Sequence, residues 1–130
     1  MQPFYLACFN MDIADGAEDY CVLESASLTL SLVVVPERIA ATINVSVPPV
    51  RRAQVPVKLA FPVESIDALR PLVAELGGSV DPTTTQREFR GSILCDGIDP
   101  EGNVIQLLEP ITHPLADPGA VRRARRDVGP

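Results

Sequence analysis

Ile66, Leu69, Leu72, Val73 and Leu76 recur at helical spacing, and Ser65 stands just before them. This stripe predicts a helix capped by the Ser65 hydroxyl and closed by Gly77-Gly78. Phe4–Phe9 is an unbroken apolar block followed by Asn10, which reads as the end of a helix with a left-handed cap. Alternation takes over elsewhere. Leu28, Leu30 and Leu32 alternate with Thr29 and Ser31, the period of a half-buried strand. Tyr20–Glu24 and Leu28–Val35 are therefore expected to form a hairpin that ends at Pro36, after a short strand over Met11–Ala14 and a turn at Asp15-Gly16. Ile43, Val45 and Val47 alternate with Asn44 and Ser46, which makes Ile43–Val47 a candidate strand. Val55–Val63 is a β-rich run restricted by Pro56 and Pro62. Ser79-Val80 starts a strand, and the strands Phe89–Ile98 and Gly102–Glu109 are joined by the turn Asp99-Pro100-Glu101-Gly102-Asn103. Periodicity stops after Pro110, where a surface tail is expected.

The pattern repeats itself. Laid over Leu72–Val80, Tyr5–Ile13 matches Ala7 to Ala74, Phe9 to Leu76, Asn10 to Gly77 and Ile13 to Val80. Each copy then reads as a helix followed by three strands, and the second copy has the further strand Val55–Val63 in front. The same offset carries that leading strand to positions before residue 1. The expectation is a first module that lacks its first strand, and an upstream in-frame strand would mean a misassigned start.

Composition narrows the function. The 130 residues fit one domain, placed at 1–110 with module one at about 1–47 and module two at about 55–110, and a basic tail at 111–130. Net charge is −6, which disfavours nucleic acid as a partner. The tail reverses the sign, with Arg122, Arg123, Arg125 and Arg126 against Asp117 and Asp127. No apolar run approaches the roughly 20 residues of a membrane span, so no membrane partner is expected. Cys8, Cys21 and Cys95 form no CxxC and read as small core residues of a cytoplasmic protein. No Ser/His/Asp or Cys/His set is available, because the one His, His113, lies in the tail.

The run Val57-Lys58-Leu59-Ala60-Phe61-Pro62-Val63, then Ser65-Ile66-Asp67, Gly77-Gly78 and Asp99–Leu107, resembles the vicinal oxygen chelate superfamily of glyoxalases, bleomycin- and fosfomycin-resistance proteins and extradiol dioxygenases. The resemblance covers residues 55–110 and, more weakly, 4–35. It implies an α+β fold of two βαβββ modules, a curved mixed sheet around a cleft, commonly completed in a homodimer. Metal-dependent members place a His or Gln on the first strand of each module and a Glu on the last. Here those positions carry Lys58, Gln106 and Thr29 or Ser31. An ammonium has no lone pair to donate, so no metal and no other cofactor is expected.

Alternation puts Val104, Gln106 and Leu108 on one face of the last strand, and the resemblance implies that Lys58, the one Lys of the chain, lies near them if the module pairs as the family's does. Lys58, Gln106, Thr29, Ser31, Asp96 and Arg90 are thus the candidate ligand-binding residues. Lys58 either holds an anionic or carbonyl-bearing ligand or is neutralised by an acid such as Glu88 or Asp96. The leading expectation is a metal-free, homodimeric protein that binds a small molecule. The alternatives are a lyase, isomerase or dioxygenase-like enzyme with a degenerate site, and a ligand-free remnant or dimerisation module.

Overall fold

A computed structural model describes residues 1–111 of the chain. The tail expected beyond, His113 included, lies outside the described residues.

Two units share one plan. Helix α1 (Gln2–Cys8) leads into β1 (Asp12–Gly16), β2 (Tyr20–Glu24) and β3 (Thr29–Val33), an antiparallel sheet in the order β1-β2-β3. A short helical turn, α2 (Glu37–Ala40), opens the connector. The second unit runs β4 (Leu59–Pro62), α3 (Ile66–Glu75), β5 (Ser79–Val80), β6 (Arg87–Phe89), β7 (Ser92–Ile98) and β8 (Val104–Pro110). Its sheet has the order β4-β8-β7-β5, with β6 also paired to β7. β4 and β8 are parallel, while β7 runs antiparallel to β8. The result is the α+β architecture that the resemblance implies.

The repeat is visible in the backbone. Asn10 and Gly77 both take positive φ, 51° and 95°, as the chain leaves α1 and α3. Ser65 caps α3 by accepting the Ala68 N–H at 3.1 Å. The core lies between the two helices and one face of each sheet. Phe4, Tyr5 and Cys8 of α1 and Ile66 and Val73 of α3 pack with Leu23, Phe61, Cys95, Ile105 and Leu107. Phe9 stacks on Phe61 with ring centroids 4.0 Å apart, which ties the first helix to the second sheet.

The Asp99–Asn103 turn explains why its residue types occur in that order. Asp99 is fully buried, and its carboxylate accepts the N–H groups of Glu101 and Asn103, the Asn103 amide and the Tyr5 hydroxyl at 2.7–3.0 Å. Gly102 sits at φ 84°, where a Cβ would meet the Val50 carbonyl oxygen at 2.0 Å.

Several expected boundaries move. Asp15-Gly16 belongs to β1, whose register is irregular between Ile13 and Asp15, and the turn follows at Ala17. Phe89–Ile98 is two strands, because Arg90 and Gly91, both at positive φ, form a tight hairpin turn. Only Leu59–Pro62 of Val55–Val63 forms the strand, with Val63 adding a bond to the Leu108 carbonyl, since pairing needs β8 alongside. Ile43–Val47 forms no strand: its alternation meets no neighbouring strand, and Val45 and Val47 stay exposed. Among the described residues no strand pairs with the outer edge of β3.

Candidate functional site

Register decides which side chains meet. Cys95 lies opposite Leu107 and Asp96 opposite Gln106, while Ala60 on β4 aligns with Gln106. Successive side chains alternate, so Leu107 and Cys95 face the helices, and Asp96 and Gln106 turn away from them. Arg87 pairs with Leu94 and Phe89 with Ser92, which places both on that same outer face. Lys58 stands just before β4 and reaches the same spot.

Lys58 Nζ donates to Asp96 Oδ2 at 2.7 Å, and Gln106 Nε2 donates to Asp96 Oδ1 at 3.2 Å. Partial burial pushes the Asp96 carboxyl up. The hydrogen bonds from Lys58 and Gln106 and the charges of Lys58 and Arg87 outweigh it and hold the group below the usual carboxylate range. Asp96 is therefore ionised at neutral pH, and Lys58 is the partner that neutralises it. One of the three ammonium donors is used in this pair, and the side chain keeps about 39% of its surface exposed. Among the described residues the Arg87 guanidinium makes no ion pair.

The structure thus gathers three of the six candidates, Lys58, Asp96 and Gln106. Thr29 and Ser31 lie on the other sheet, exposed on its outer face. Arg90 occupies the β6–β7 turn. The residue that sequence reasoning underrated is Arg87. Placing the two-residue turn at Arg90-Gly91 would have shown it, because the register then carries Arg87 to the Asp96 face. An Arg-Gly turn hides that signal, since Asn-Gly is the strong hairpin marker.

These residues do not fit a metal centre. Lys58 presents a cation where a ligand would stand, the Gln106 amide nitrogen is turned to Asp96, and Thr29 and Ser31 belong to the other sheet. Among the described residues no group of three or more His, Cys, Asp or Glu is arranged to hold an ion.

Two grooves flank the core. One, of about 650 Å3, lies between Tyr20, Leu32, Val33, the connector residues Ile43 and Val45, and Glu101. The other, of about 870 Å3, lies between Phe9, Leu28, Phe61 and Leu69. Lys58, Asp96 and Gln106 line neither of these two grooves.

The paired modules, each a helix with a sheet wrapped beside it, have close counterparts among solved structures. A glyoxalase/bleomycin resistance protein/dioxygenase family enzyme from Burkholderia phytofirmans PsJN superposes with a TM-score of 0.63 over 85% of this chain and 88% of its own, at 16% identity. This chain has the vicinal oxygen chelate fold. The same fold is matched in the fosfomycin resistance protein FosX from Listeria monocytogenes, complexed with Mn(II) and sulfate, at TM-score 0.58 and 13% identity over 85% of this chain and 78% of that one. A bleomycin resistance determinant encoded on the transposon Tn5 matches at TM-score 0.51 and 12% identity over 85% and 86%. The sequence matches no known family profile and no curated protein.

Proposed function

We propose that this chain is a metal-free small-molecule-binding protein whose ligand is an anion or a carbonyl compound, held on the outer face of β4, β8, β7 and β6. One observation carries the reading. Lys58 is fixed by Asp96, Asp96 is fixed in turn by Gln106, and spare ammonium protons remain beside Arg87, which makes no ion pair among the described residues. Two cations against one carboxylate leave the cluster net positive. Leu108 and the exposed Phe89 share the face with the buried Leu94 and offer an apolar surface for the body of a ligand. The matched solved structures, which are drug-resistance proteins and related enzymes, support small-molecule work on this fold. A carboxylate held ionised below its usual range is a weak base at neutral pH, so Asp96 suits positioning better than proton abstraction.

An NMR titration with benzoate and, separately, benzylammonium tests this. Benzoate should shift the amides of Asp96, Gln106 and Leu94, benzylammonium should not, and Lys58→Met with Arg87→Met should abolish the benzoate response. Shifts clustered elsewhere, or a preference for the cation, would overturn the reading.

A further inference from the structure

Charge is unevenly placed along this chain. Asp12, Asp15, Glu18, Asp19, Glu24 and Glu37 all precede Arg38, the first basic side chain. Apolar surface is uneven as well. β3 ends at Val33, Val34 still donates to the Asp19 carbonyl at 2.8 Å, and Val33, Val34 and Val35 are 67%, 63% and 41% exposed. Beyond Pro36 and α2 the connector brings up Ile43 and Val45, and the space bounded by these two stretches is the groove of about 650 Å3. That volume suits a small organic molecule, and a run of uncovered valines gives its apolar body something to bury.

The charged side chains at this groove have one sign. Glu18, from the β1–β2 turn, and Glu101, from the β7–β8 turn, line it, and among the described residues no Lys or Arg does. Neither carboxylate forms an ion pair among the described residues, and the Met1 amino group, which also borders the groove, is paired with neither. Both turns are held by their backbones. Ala17 donates to the Tyr20 carbonyl at 2.9 Å, and the Glu101 N–H donates to the buried Asp99 at 2.9 Å. Tyr20 adds an aromatic ring, tethered by the bond from its hydroxyl to Asp15 at 3.1 Å. Carboxylates and an aromatic ring both attract a cation.

We infer that this groove is a second binding site, and that it takes an organic ammonium ion. Val33, Ile43 and Val45 cover the alkyl or aromatic body, while Glu18 and Glu101 meet the cationic end. An organic anion of the same shape is repelled by the same two carboxylates. The inference goes beyond the ligand reading above. The groove shares no residue with Lys58, Arg87, Asp96 or Gln106, and its charge preference is the reverse.

NMR titration of the full chain with hexylammonium and, separately, hexanoate tests it, because the two probes share one apolar body. Hexylammonium should shift the amides of Tyr20, Val33 and Val45 and bind about tenfold more tightly than hexanoate, the scale of two partly exposed charge contacts. Glu18→Gln with Glu101→Gln should erase that preference and leave the circular dichroism spectrum unchanged. A chemical footprint on the wild type needs no variant. Cys21 lines the groove and Cys8 does not, so hexylammonium should slow alkylation of Cys21 by iodoacetamide and leave Cys8 unaffected. No shift at these amides, equal affinity for hexanoate, or a preference that survives the double substitution overturns the proposal. So does a Cys21 that is already protected without amine, if dilution or replacement of Arg122, Arg123, Arg125 and Arg126 by Gln exposes it. The groove would then belong to a second copy or to the chain's own arginines. These amides are distinct from those of Asp96 and Gln106, so the two readings succeed or fail separately.

Discussion

β3 and β8 hold equivalent places in the two modules, yet they live in different surroundings. β8 has β4 on one side and β7 on the other, and its Ile105 and Leu107 are completely buried. Among the described residues β3 has only β2, and its core-facing Leu30 and Leu32 are half-buried. The side-chain pattern is alike in both; the number of neighbours differs. A strand's contribution to stability thus depends on what flanks it as much as on its own alternation. The connecting turns differ in the same sense. The β7–β8 turn is organised around a buried carboxylate that binds four donors, whereas the β2–β3 turn closes with one backbone bond from Ser25 to Leu28.

The largest effect should come from testing that contrast directly. Leu107→Ala should cost about 3–4 kcal/mol, as a fully buried leucine in a packed core, and Leu30→Ala about half as much. Chemical denaturation of both variants checks it, and equal losses would break the comparison. Tyr5→Phe comes next, at about 2 kcal/mol, because it removes a donor from a buried carboxylate. Burial, the hydrogen bond to Asp99 and nearby negative charge all push the Tyr5 hydroxyl up. An unfolded tyrosine ionises near pH 10. The folded chain keeps its proton there, so stability should be full below pH 10 and fall as pH rises beyond it. Melting temperatures between pH 9 and 11 should show a shallower decline in Tyr5→Phe.

Lys58→Met should cost about 1 kcal/mol, the scale of a partly exposed ion pair. It also removes the main influence that lowers the Asp96 carboxyl. A carboxyl held below its unfolded value of about 3.9 adds stability above that pH and loses it as pH falls through the folded value. The wild type should therefore lose more stability than Lys58→Met between pH 5 and pH 2. The smallest effect is kinetic. Burial pushes the Cys8 thiol up to about 11, so iodoacetamide at pH 8 should modify the half-buried Cys21 before Cys8. Mass mapping after partial labelling reads the order.

How far the sequence carried this picture follows from the same physics. α3 was legible because its signals are local: an apolar stripe, the Ser65 cap and Gly77. The turn at Asp99–Asn103 was legible because its residue types have few uses elsewhere. Ile43–Val47 misled because alternation marks a strand only where a partner strand lies beside it. The Lys58–Asp96 contact could be named as one option among several, since no local pattern shows which acid a distant lysine will meet. The place of Arg87 on the Asp96 face stayed hidden behind an unusual turn, and Thr29 and Ser31 were grouped with Lys58 although the fold puts them on another sheet.

The hydrogen bond from Tyr5 to Asp99 spans 94 positions of the chain. During synthesis, helix α1 leaves the ribosome long before the turn that receives its hydroxyl exists. The Phe61 ring that stacks on Phe9 also arrives late. Until then Phe4, Tyr5 and Phe9 have only one another and Leu23 of β2 to pack against, and closure of the native core waits for the Asp99 turn.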